Sequence, residues 1–287
     1  MSELRPRTVL ADMEISGSTR LAGVVGWPVA HSLSPALHNA VFAALGVNAV
    51  SVGFAVAEEG LAKAVAGLAA VDAIGTSVTM PHKHAVVALA QERTATVERL
   101  GVANCLTFVD GAVHASSTDG QGFLDALVEQ VNFAPEGKKV ALIGAGGAAA
   151  AIAVALADAG ADLCVVARRP EAAQSLARLA GGGSRAGDNE SISEADLVIN
   201  ATPLGMSATS TAEQCAVDPA LLREGQVVFD TVYAPRVTPL LRAADAVGAI
   251  GIGGLAMLVH QARHQLCGWT GRDVPVEILW SAVAETS

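Results

Sequence analysis

A glycine-rich loop between an apolar run and an Ala-rich segment is the strongest chemical signal in the sequence. It follows Lys139–Ile143 and has the spacing GxGxxA, ending at Ala149. In such a loop the first glycine permits a tight turn, the second lets the backbone approach a pyrophosphate, and the small last residue lets the helix pack closely. The helix N-terminus adds N–H groups and partial positive charge. The alternative is a glycine-rich turn without a ligand, but the strand–loop–helix context favours a dinucleotide site. Its residues are Gly144, Ala145, Gly146, Gly147 and Ala148.

The end of the next predicted strand distinguishes between two dinucleotides. NAD sites place an acidic residue there to hold the ribose 2′-hydroxyl, whereas this chain has Ala167, Arg168 and Arg169. Two guanidinium groups suit a 2′-phosphate by charge and by bidentate geometry. The alternative is a pair of solvated surface arginines. Because the chain is acidic overall, adjacent arginines at this position favour NADP as the cofactor.

Three later strand ends carry polar or glycine-containing loops. They are Asn200 to Pro203, which includes Thr202, then Asp230 to Tyr233, and Gly253-Gly254. Ligands of open α/β sheets bind outside the carboxyl ends of the strands. We therefore expect all three loops to line the cofactor crevice.

A lysine in the first half of the chain is a candidate acid–base group. The segment Thr76 to Lys83 reads Thr-Ser-Val-Thr-Met-Pro-His-Lys, and Pro81 at the start of a predicted helix places Lys83 in its first turn. A cation there opposes the helix dipole, which favours a lysine that exchanges its proton. The alternative is an ordinary surface lysine.

Other polar residues also lie at predicted helix starts or just after strands. Ser32 and Ser34 lie just before Pro35, at the start of a predicted helix. Ser34 is predicted to be the helix cap, and the hydroxyl groups of both serines could also hold a carboxylate. Asn104 ends a turn, and Asp119 precedes a helix, either as a cap or as a ligand-facing carboxylate. Polar side chains at such positions gather around ligands.

The elements that must position these residues alternate between strands and helices, which predicts an α/β fold with parallel sheets. The first series ends in a hairpin at Cys105–Val109 and Ala112–Ala115, and a helix at Gly120–Gln130 bridges to the second. Predicted strands are Leu21–Val25, Val47–Phe54, Ala73–Met80, Lys139–Ile143, Asp162–Ala167, Leu197–Asn200, Val227–Asp230 and Ala249–Ile252. Further predicted helices are Pro35–Leu45, Gly60–Ala69, Pro81–Gln91, Ala148–Ala159, Leu255–Gly268 and Val276–Ala284.

Composition excludes several classes of protein. The 287 residues are 52% hydrophobic and 16% charged, which predicts a sizeable folded core. A net charge of -10 argues against nucleic-acid or anionic-membrane partners. The four cysteines are scattered without metal-type spacing, so we expect reduced thiols and no metal site. Residues 1–20, a predicted irregular extension, lack the apolar core of a signal peptide, and no apolar run reaches the ~20 residues of a membrane span. These features favour a cytoplasmic protein.

Taken in order, the motifs closely resemble those of the shikimate dehydrogenase family from about Leu21 to near the C-terminus. The ordered set at family-like spacing is highly specific, although each piece alone is weak. The pieces begin at Ser32, Ser77, Ala103, Ser117, Gly144, Asn200, Asp230 and Met257.

The resemblance implies two domains and a reaction. Residues 1–115 would form an α/β substrate-binding domain on which residues 255–287 pack back, and residues 116–254 an NADP-binding Rossmann-type domain. The implied reaction is the reversible NADPH-dependent reduction of 3-dehydroshikimate to shikimate, in chorismate and aromatic amino acid biosynthesis. A small-molecule substrate is the only implied partner, and the oligomeric state stays open between monomer and homodimer.

The resemblance also implies residue roles. Lys83 would be the acid–base residue, and Asp119 would orient it. The substrate-binding residues would be Ser32, Ser34, Thr79, Asn104, Tyr233 and Gln261. The glycine-rich loop would hold the pyrophosphate, Arg168 and Arg169 the 2′-phosphate, and Gly254 would lie near the nicotinamide.

The chain departs from the family pattern at four places. Ser117 stands where the family often has Asn, and Ala167 to Arg169 stand where it often has Asn-Arg-Thr. Ala172 replaces an Arg that some members have, and Gly253 replaces the usual Asp. These departures leave strict preference for NADP over NAD open. A quinate/shikimate dehydrogenase and a non-catalytic NADP-binding regulator are the alternatives, while a one-carbon-folate dehydrogenase would lack these motifs.

Overall fold

The computed structural model describes residues 15–207 and 209–284. Its contacts divide the chain into two compact units. The first takes in the chain up to Thr118 and again from Ala262, and the second is Asp119–Gln261. Most of the predicted N-terminal extension lies outside the described residues, and the first strand begins at Arg20.

The first unit contains a six-stranded mixed sheet. Its strands are β1 Arg20–Gly26, β2 Ala49–Ala55, β3 Gly75–Val78, β4 Glu92–Arg93, β5 Cys105–Val109 and β6 Ala112–Ser116. Their order in the sheet is β2-β1-β3-β5-β6-β4. Strands β1, β2 and β3 are parallel, β5 pairs antiparallel with β3, and the short β4 pairs parallel with β6. In this unit the predicted parallel pairing is confirmed for β1 to β3, and the predicted hairpin is confirmed as β5 and β6.

In the N-terminal part of the first unit, two of the three predicted helices are confirmed, namely Pro35–Leu45 and Gly60–Ala69. The predicted helix Pro81–Gln91 is wrong: residues 80–84 form turns, and Ala85–Leu89 is a 3-10 helix. Gln91 and Thr94 already donate backbone N–H groups to Val113 and Ala115 of β6. This tertiary pairing takes the segment away from a helical conformation. The α-helices are α1 Ser34–Leu45, α2 Leu61–Ala70 and α3 Ala95–Leu100.

The second unit contains a parallel six-stranded sheet. Its strands are β7 Lys139–Ile143, β8 Asp162–Val166, β9 Arg185–Ala186, β10 Leu197–Asn200, β11 Val227–Asp230 and β12 Ile250–Gly253. Their order in the sheet is β12-β11-β10-β7-β8-β9, so the connections reverse direction between β7 and β10. This is the strand order of the Rossmann fold, which binds ligands at the point of reversal.

Seven further helices complete the described chain. These helices are α4 Asp119–Val131, α5 Gly147–Asp158, α6 Pro170–Ala180, α7 Glu190–Glu194, α8 Pro239–Ala246, α9 Leu255–Thr270 and α10 Val276–Ala284. The sequence analysis predicts α4, α5, α9 and α10. It misses α6, α7 and α8, and α3 of the first unit, which are short or strongly polar. None of the helices in these described residues is long and apolar enough to cross a membrane.

Helices α4 and α9 approach each other closely in the second unit. A Cβ atom on Gly122 would lie 2.5 Å from the backbone nitrogen of Gln261 and 2.8 Å from its Cα. On its other side α4 packs on α5, where a Cβ on Gly120 would lie 2.6 Å from the Ala151 carbonyl oxygen. Only glycine fits at these two crossings.

A histidine is buried in the core of the first unit. His38 is fully buried, its Nδ1 lies 2.8 Å from the Ser51 hydroxyl, and its ring meets the edge of Trp269 at a centroid distance of 4.9 Å. Burial lowers the pKa of His38 to about 3 because desolvation disfavours the imidazolium ion. The folded protein therefore holds this ring neutral.

Substituting Gly122→Ala should lower the melting temperature, because overpacking of a fixed backbone contact costs about 1–3 kcal/mol. Gly67→Ala is the matched control. Gly67 is exposed within α2 and a Cβ there meets no atom within 4 Å, so the change should stabilise by about 0.5–1 kcal/mol. Thermal unfolding of both variants tests this, and a Gly122→Ala protein as stable as wild type would contradict the crossing.

Because folded His38 stays neutral, the free energy of unfolding should decrease as the pH falls. Its pKa is lowered from 6.5 to about 3 on folding, so protons bind the unfolded state first as the pH falls below 6.5. Between pH 7 and pH 5 this linkage should cost about 2 kcal/mol. Urea unfolding at both pH values should show that His38→Gln loses about that much less stability than wild type over this interval. An equal loss of stability between pH 7 and pH 5 in His38→Gln and in wild type would refute the low pKa of His38.

Candidate active site

The segment that follows β3 lies beside the start of β5, because these strands are antiparallel. The Val78 N–H donates to the Asn104 carbonyl at 2.8 Å, and the Ala103 N–H donates to the Lys83 carbonyl at 2.9 Å. Thr79 is tied to β1 through its N–H, which donates to Val25 at 3.0 Å. The structure therefore brings together Thr79, Lys83 and Asn104, three of the residues that the sequence singles out.

Lys83 lies in turns and not in the first turn of an α-helix. The argument from an opposing helix dipole therefore does not apply. The backbone is held instead by its carbonyl contact with Ala103 and by neighbouring His82, whose buried Nε2 lies 2.6 Å from the Val56 carbonyl oxygen. No local pattern in the sequence singles out His82, since its partner is 26 residues away.

Ser34 does not cap α1, which corrects the local prediction. The cap position is Leu33, and no side chain caps this helix. Ser34 is the first helical residue and is buried, and its N–H donates to the Ser32 hydroxyl at 3.3 Å. Both serines thus lie at the N-terminus of a twelve-residue helix, where the positive end of the dipole favours an anion.

Asn104, which directly precedes β5, is hydrogen-bonded to the segment that follows β6. Its side-chain oxygen accepts from the Thr118 N–H at 2.8 Å, and its amide nitrogen donates to the Thr118 hydroxyl at 3.0 Å. Asp119 follows directly as the first residue of α4 and is buried. The amide of Asn104 therefore fixes the residue that precedes the candidate catalytic carboxylate.

In the second unit the glycine-rich loop has the form that a pyrophosphate requires. Gly144 has φ of 120°, and a Cβ there would lie 2.8 Å from the Ala201 carbonyl oxygen. A Cβ on Gly146 would meet nothing within 4 Å, and no side chain caps α5. The loop leaves open space before uncapped helical N–H groups, so the residues present fit a dinucleotide phosphate.

Arg168 and Arg169 follow β8 and are exposed. Neither guanidinium group makes a hydrogen bond or ion pair with any of the described residues. Arg169 caps the N-terminus of α6 through its backbone conformation only. Two unpaired positive charges in an acidic chain are suited to an external anion.

A buried polar network joins the carboxyl ends of β10 and β11. The Asn200 amide donates to Asp230 at 2.8 Å, and the Thr238 hydroxyl donates to the same carboxylate at 2.7 Å. Burial raises the pKa of Asp230, while these hydrogen bonds and the Val232 N–H oppose the rise. Asn200 also accepts from the Thr202 hydroxyl at 2.6 Å. The sequence missed the role of Thr238, although Asp230 and Thr202 had been placed at this edge.

The remaining predicted residues also lie in the second unit. Gly254 begins the turn into α9, and a Cβ there would collide with the Thr231 backbone. Gln261 is buried on α9, with its amide donating to the Leu258 carbonyl at 2.9 Å. Tyr233 is half-buried in the loop after β11. Within residues 15–207 and 209–284 no cluster of three or more His, Cys, Asp or Glu could hold a metal.

Two family models match the chain. The model described as shikimate dehydrogenase substrate binding domain matches residues 24–106. The model described as NADP oxidoreductase coenzyme F420-dependent matches residues 139–233. The matches fall on the mixed-sheet unit and the parallel-sheet unit, respectively.

Relatives match along almost the full length. Shikimate dehydrogenase (NADP(+)) of Citrifermentans bemidjiense is 43% identical over an alignment of 284 positions, which covers 95% of this chain and 97% of the relative. A solved shikimate dehydrogenase in complex with NADP+ has a TM-score of 0.89 at 33% identity, covering 95% of this chain and 97% of that one. The Thermus thermophilus enzyme in complex with NADP(H) and shikimate has a TM-score of 0.86 at 32% identity, covering 93% and 100%.

A dehydrogenase named for a different substrate, quinate, is also similar to this chain. Quinate dehydrogenase from Corynebacterium glutamicum, in complex with NAD, has a TM-score of 0.83 at 28% identity, covering 93% of this chain and 99% of that one. It is less similar than the shikimate dehydrogenases above. Identity above 40% across nearly the whole length, together with a substrate-domain match on the unit that carries Lys83, makes this chain a member of the shikimate dehydrogenase family.

Proposed function

We propose that this protein is an NADP-dependent shikimate dehydrogenase, which reversibly reduces 3-dehydroshikimate to shikimate. The observation that carries the proposal is the 43% identity to a shikimate dehydrogenase (NADP(+)) over 95% of the chain. The hydrogen bonds that bring Lys83 and Asn104 together with Thr118, the residue before Asp119, support the proposal, because an alcohol dehydrogenation needs an acid–base group and a partner that orients it.

The cofactor would be held by two features of the second unit. The loop Gly144–Ala148 would hold the pyrophosphate, and Arg168 and Arg169 the 2′-phosphate. Thr202 and the backbone at Gly254 belong to strand-end loops that we assign to the same ligand. Bound NADPH would supply the hydride, and NADP+ would accept it in the reverse direction.

Lys83 is proposed to handle the proton at the reacting oxygen. Negative charge develops on the C3 oxygen of 3-dehydroshikimate as the carbonyl is reduced, and the ammonium group stabilises that charge and donates a proton. In shikimate oxidation the neutral amine accepts the proton. Asp119 is proposed to orient the lysine and the neighbouring hydroxyl of the substrate.

The substrate carboxylate is assigned to Ser32 and Ser34, assisted by Tyr233. The hydroxyl groups of Ser32 and Ser34 lie at the N-terminus of α1, whose dipole favours an anion. Ring hydroxyls are assigned to Thr79, Asn104 and Gln261, whose side chains can donate and accept hydrogen bonds.

The leading alternative within the family is quinate oxidation with NAD or NADP. Quinate carries a saturated C1 with a hydroxyl, so a change of one or two side chains near the carboxylate would alter the preference. A non-catalytic NADP-binding regulator is the alternative from another class, and the presence of both Lys83 and Asp119 argues against it. A spectrophotometric panel of shikimate and quinate, each with NADP+ and NAD+, separates the three.

We also propose a place in chorismate and aromatic amino acid biosynthesis and a cytoplasmic location, as a monomer or homodimer. The pathway follows from the proposed substrate and product. The location is supported by four scattered cysteines, two of them buried, which suit a reducing compartment.

Substituting Lys83→Ala should lower kcat by about 10²–10⁴-fold, the usual contribution of general acid–base catalysis, and should raise KM for shikimate far less. Steady-state kinetics of NADPH formation test this prediction. Lys63→Ala is the control, since Lys63 is exposed on α2 and should leave kcat unchanged. A near-normal kcat in Lys83→Ala would rule out the proposed acid–base role.

Substituting Arg168→Ala together with Arg169→Ala should raise KM for NADP+ by roughly 10–100-fold, because hydrogen bonds to charged groups contribute about 1.5–3 kcal/mol. KM for NAD+ should stay nearly constant, since NAD+ lacks the 2′-phosphate. Arg178→Ala removes an equally charged, exposed side chain of α6 and should change neither value. An equal loss for both cofactors would contradict the 2′-phosphate assignment.

A further inference from the structure

A line of buried polar side chains runs from α1 to Asn104 in the first unit. The Ser77 hydroxyl donates to Gln265 Oε1 at 2.5 Å, and Gln265 Nε2 donates to the Asn104 carbonyl at 3.1 Å. His38 Nε2 lies 3.3 Å from the same Ser77 hydroxyl. All four residues are at most 5% exposed, so each hydrogen bond is made away from water and is costly to lose.

The direction of every hydrogen bond in this line is fixed. Because Ser77 gives its proton to Gln265, the serine oxygen must accept from His38 Nε2–H. A neutral imidazole carries one ring proton, so Nδ1 accepts the proton of Ser51, 2.8 Å away. The low pKa of His38, about 3, keeps the ring neutral. The amide of Gln265 is therefore held in one orientation, with its N–H group towards Asn104.

The Asn104 carbonyl receives two donors, the backbone N–H of Val78 and the amide of Gln265. Both lone pairs of this oxygen are occupied, which fixes the peptide plane from which the Asn104 side chain departs. That side chain binds Thr118 through both its oxygen and its nitrogen. Displacement of the peptide would consequently move Asn104 and the turn that leads to Asp119.

Helix α9 is packed so that Gln265 can reach this carbonyl. Trp269 lies one helical turn after Gln265, and a Cβ on Gly75 of β3 would collide with its indole ring. Gln265 and Trp269 have the i, i+4 spacing that places them on one helix face. The missing side chain at Gly75 thus lets α9 come close enough to β3 for the amide to bind Asn104.

We infer that Gln265 is a positioning residue for substrate binding, which acts by holding the Asn104 carbonyl between Val78 and its own amide. This inference rests on the proposed function, in which Asn104 binds a ring hydroxyl of shikimate. Gln265 itself lies under Asn104 and acts through it. Its removal should weaken the binding of the substrate and leave the binding of NADP+ intact.

The test compares two buried glutamines. Gln265→Met keeps the length of the side chain and removes its hydrogen bonds to Ser77 and to the Asn104 carbonyl. Gln226→Met is the matched control. Gln226 lies in the second unit directly before β11 and is fully buried, and its amide donates to the Ile192 and Ala195 carbonyls at 2.9 Å. Both variants should lose stability, because each removes hydrogen bonds that a buried amide donates to backbone carbonyl groups.

Gln265→Met should raise KM for shikimate, and its dissociation constant measured by calorimetry, by about tenfold, the effect of a single hydrogen bond of typical strength. KM for NADP+ should stay within about twofold, and Gln226→Met should change neither constant. Equal shikimate constants in Gln265→Met and Gln226→Met, or an equal loss for shikimate and NADP+, would overturn the inference.

A second variant covers the case in which Gln265→Met does not fold. Ser77→Ala removes the hydroxyl that donates to Gln265 Oε1 and accepts from His38 Nε2, and we expect about a threefold rise in KM for shikimate as the amide gains freedom. An unchanged KM in that variant would refute the positioning role. Wild-type enzyme that neither binds nor oxidises shikimate would instead refute the proposed function, so the two failures are distinguishable.

Discussion

The antiparallel pairing of β3 with β5 is the constraint on which the candidate site of the first unit depends. It places the end of one strand beside the start of the other, so that Val78 meets Asn104 and the loop at Lys83 meets Ala103. The hairpin then returns the chain along β6 to Thr118 at the same edge. Three segments that are distant in sequence thereby present their polar residues together, without any of them requiring a regular helix.

The second unit achieves its clustering in a different way. Its six strands are all parallel, so every loop that follows a strand lies at one edge, and a reversal of strand order opens space there. This arrangement buries polar groups at the strand ends. These groups form hydrogen bonds with one another: Asp230, for example, accepts hydrogen bonds from Asn200, Val232 and Thr238. Such a network leaves the adjacent loops rigid, as a cofactor site requires.

The sequence predicted the elements whose signals are local. Strands such as Leu197–Asn200 and Val227–Asp230 have the predicted bounds, and the hairpin turn and glycine-rich loop are where their residue types indicated. It failed where partners are distant. The predicted helix after Pro81 is replaced by turns because Gln91 pairs with β6, and the predicted cap at Ser34 is absent. The links through His38, Gln265 and Thr238 join residues that no periodicity relates, so only coordinates reveal them.

The close crossing of α4 and α9 has a consequence for the architecture of the chain. The parallel-sheet unit starts at Asp119 and ends at Gln261, and the contact of Gly122 with Gln261 brings these two ends side by side. In sequence, the second unit is inserted once into the first, between Thr118 and Ala262. Insertions in the exposed loops of this unit can therefore be accommodated without a change in the path of the surrounding polypeptide.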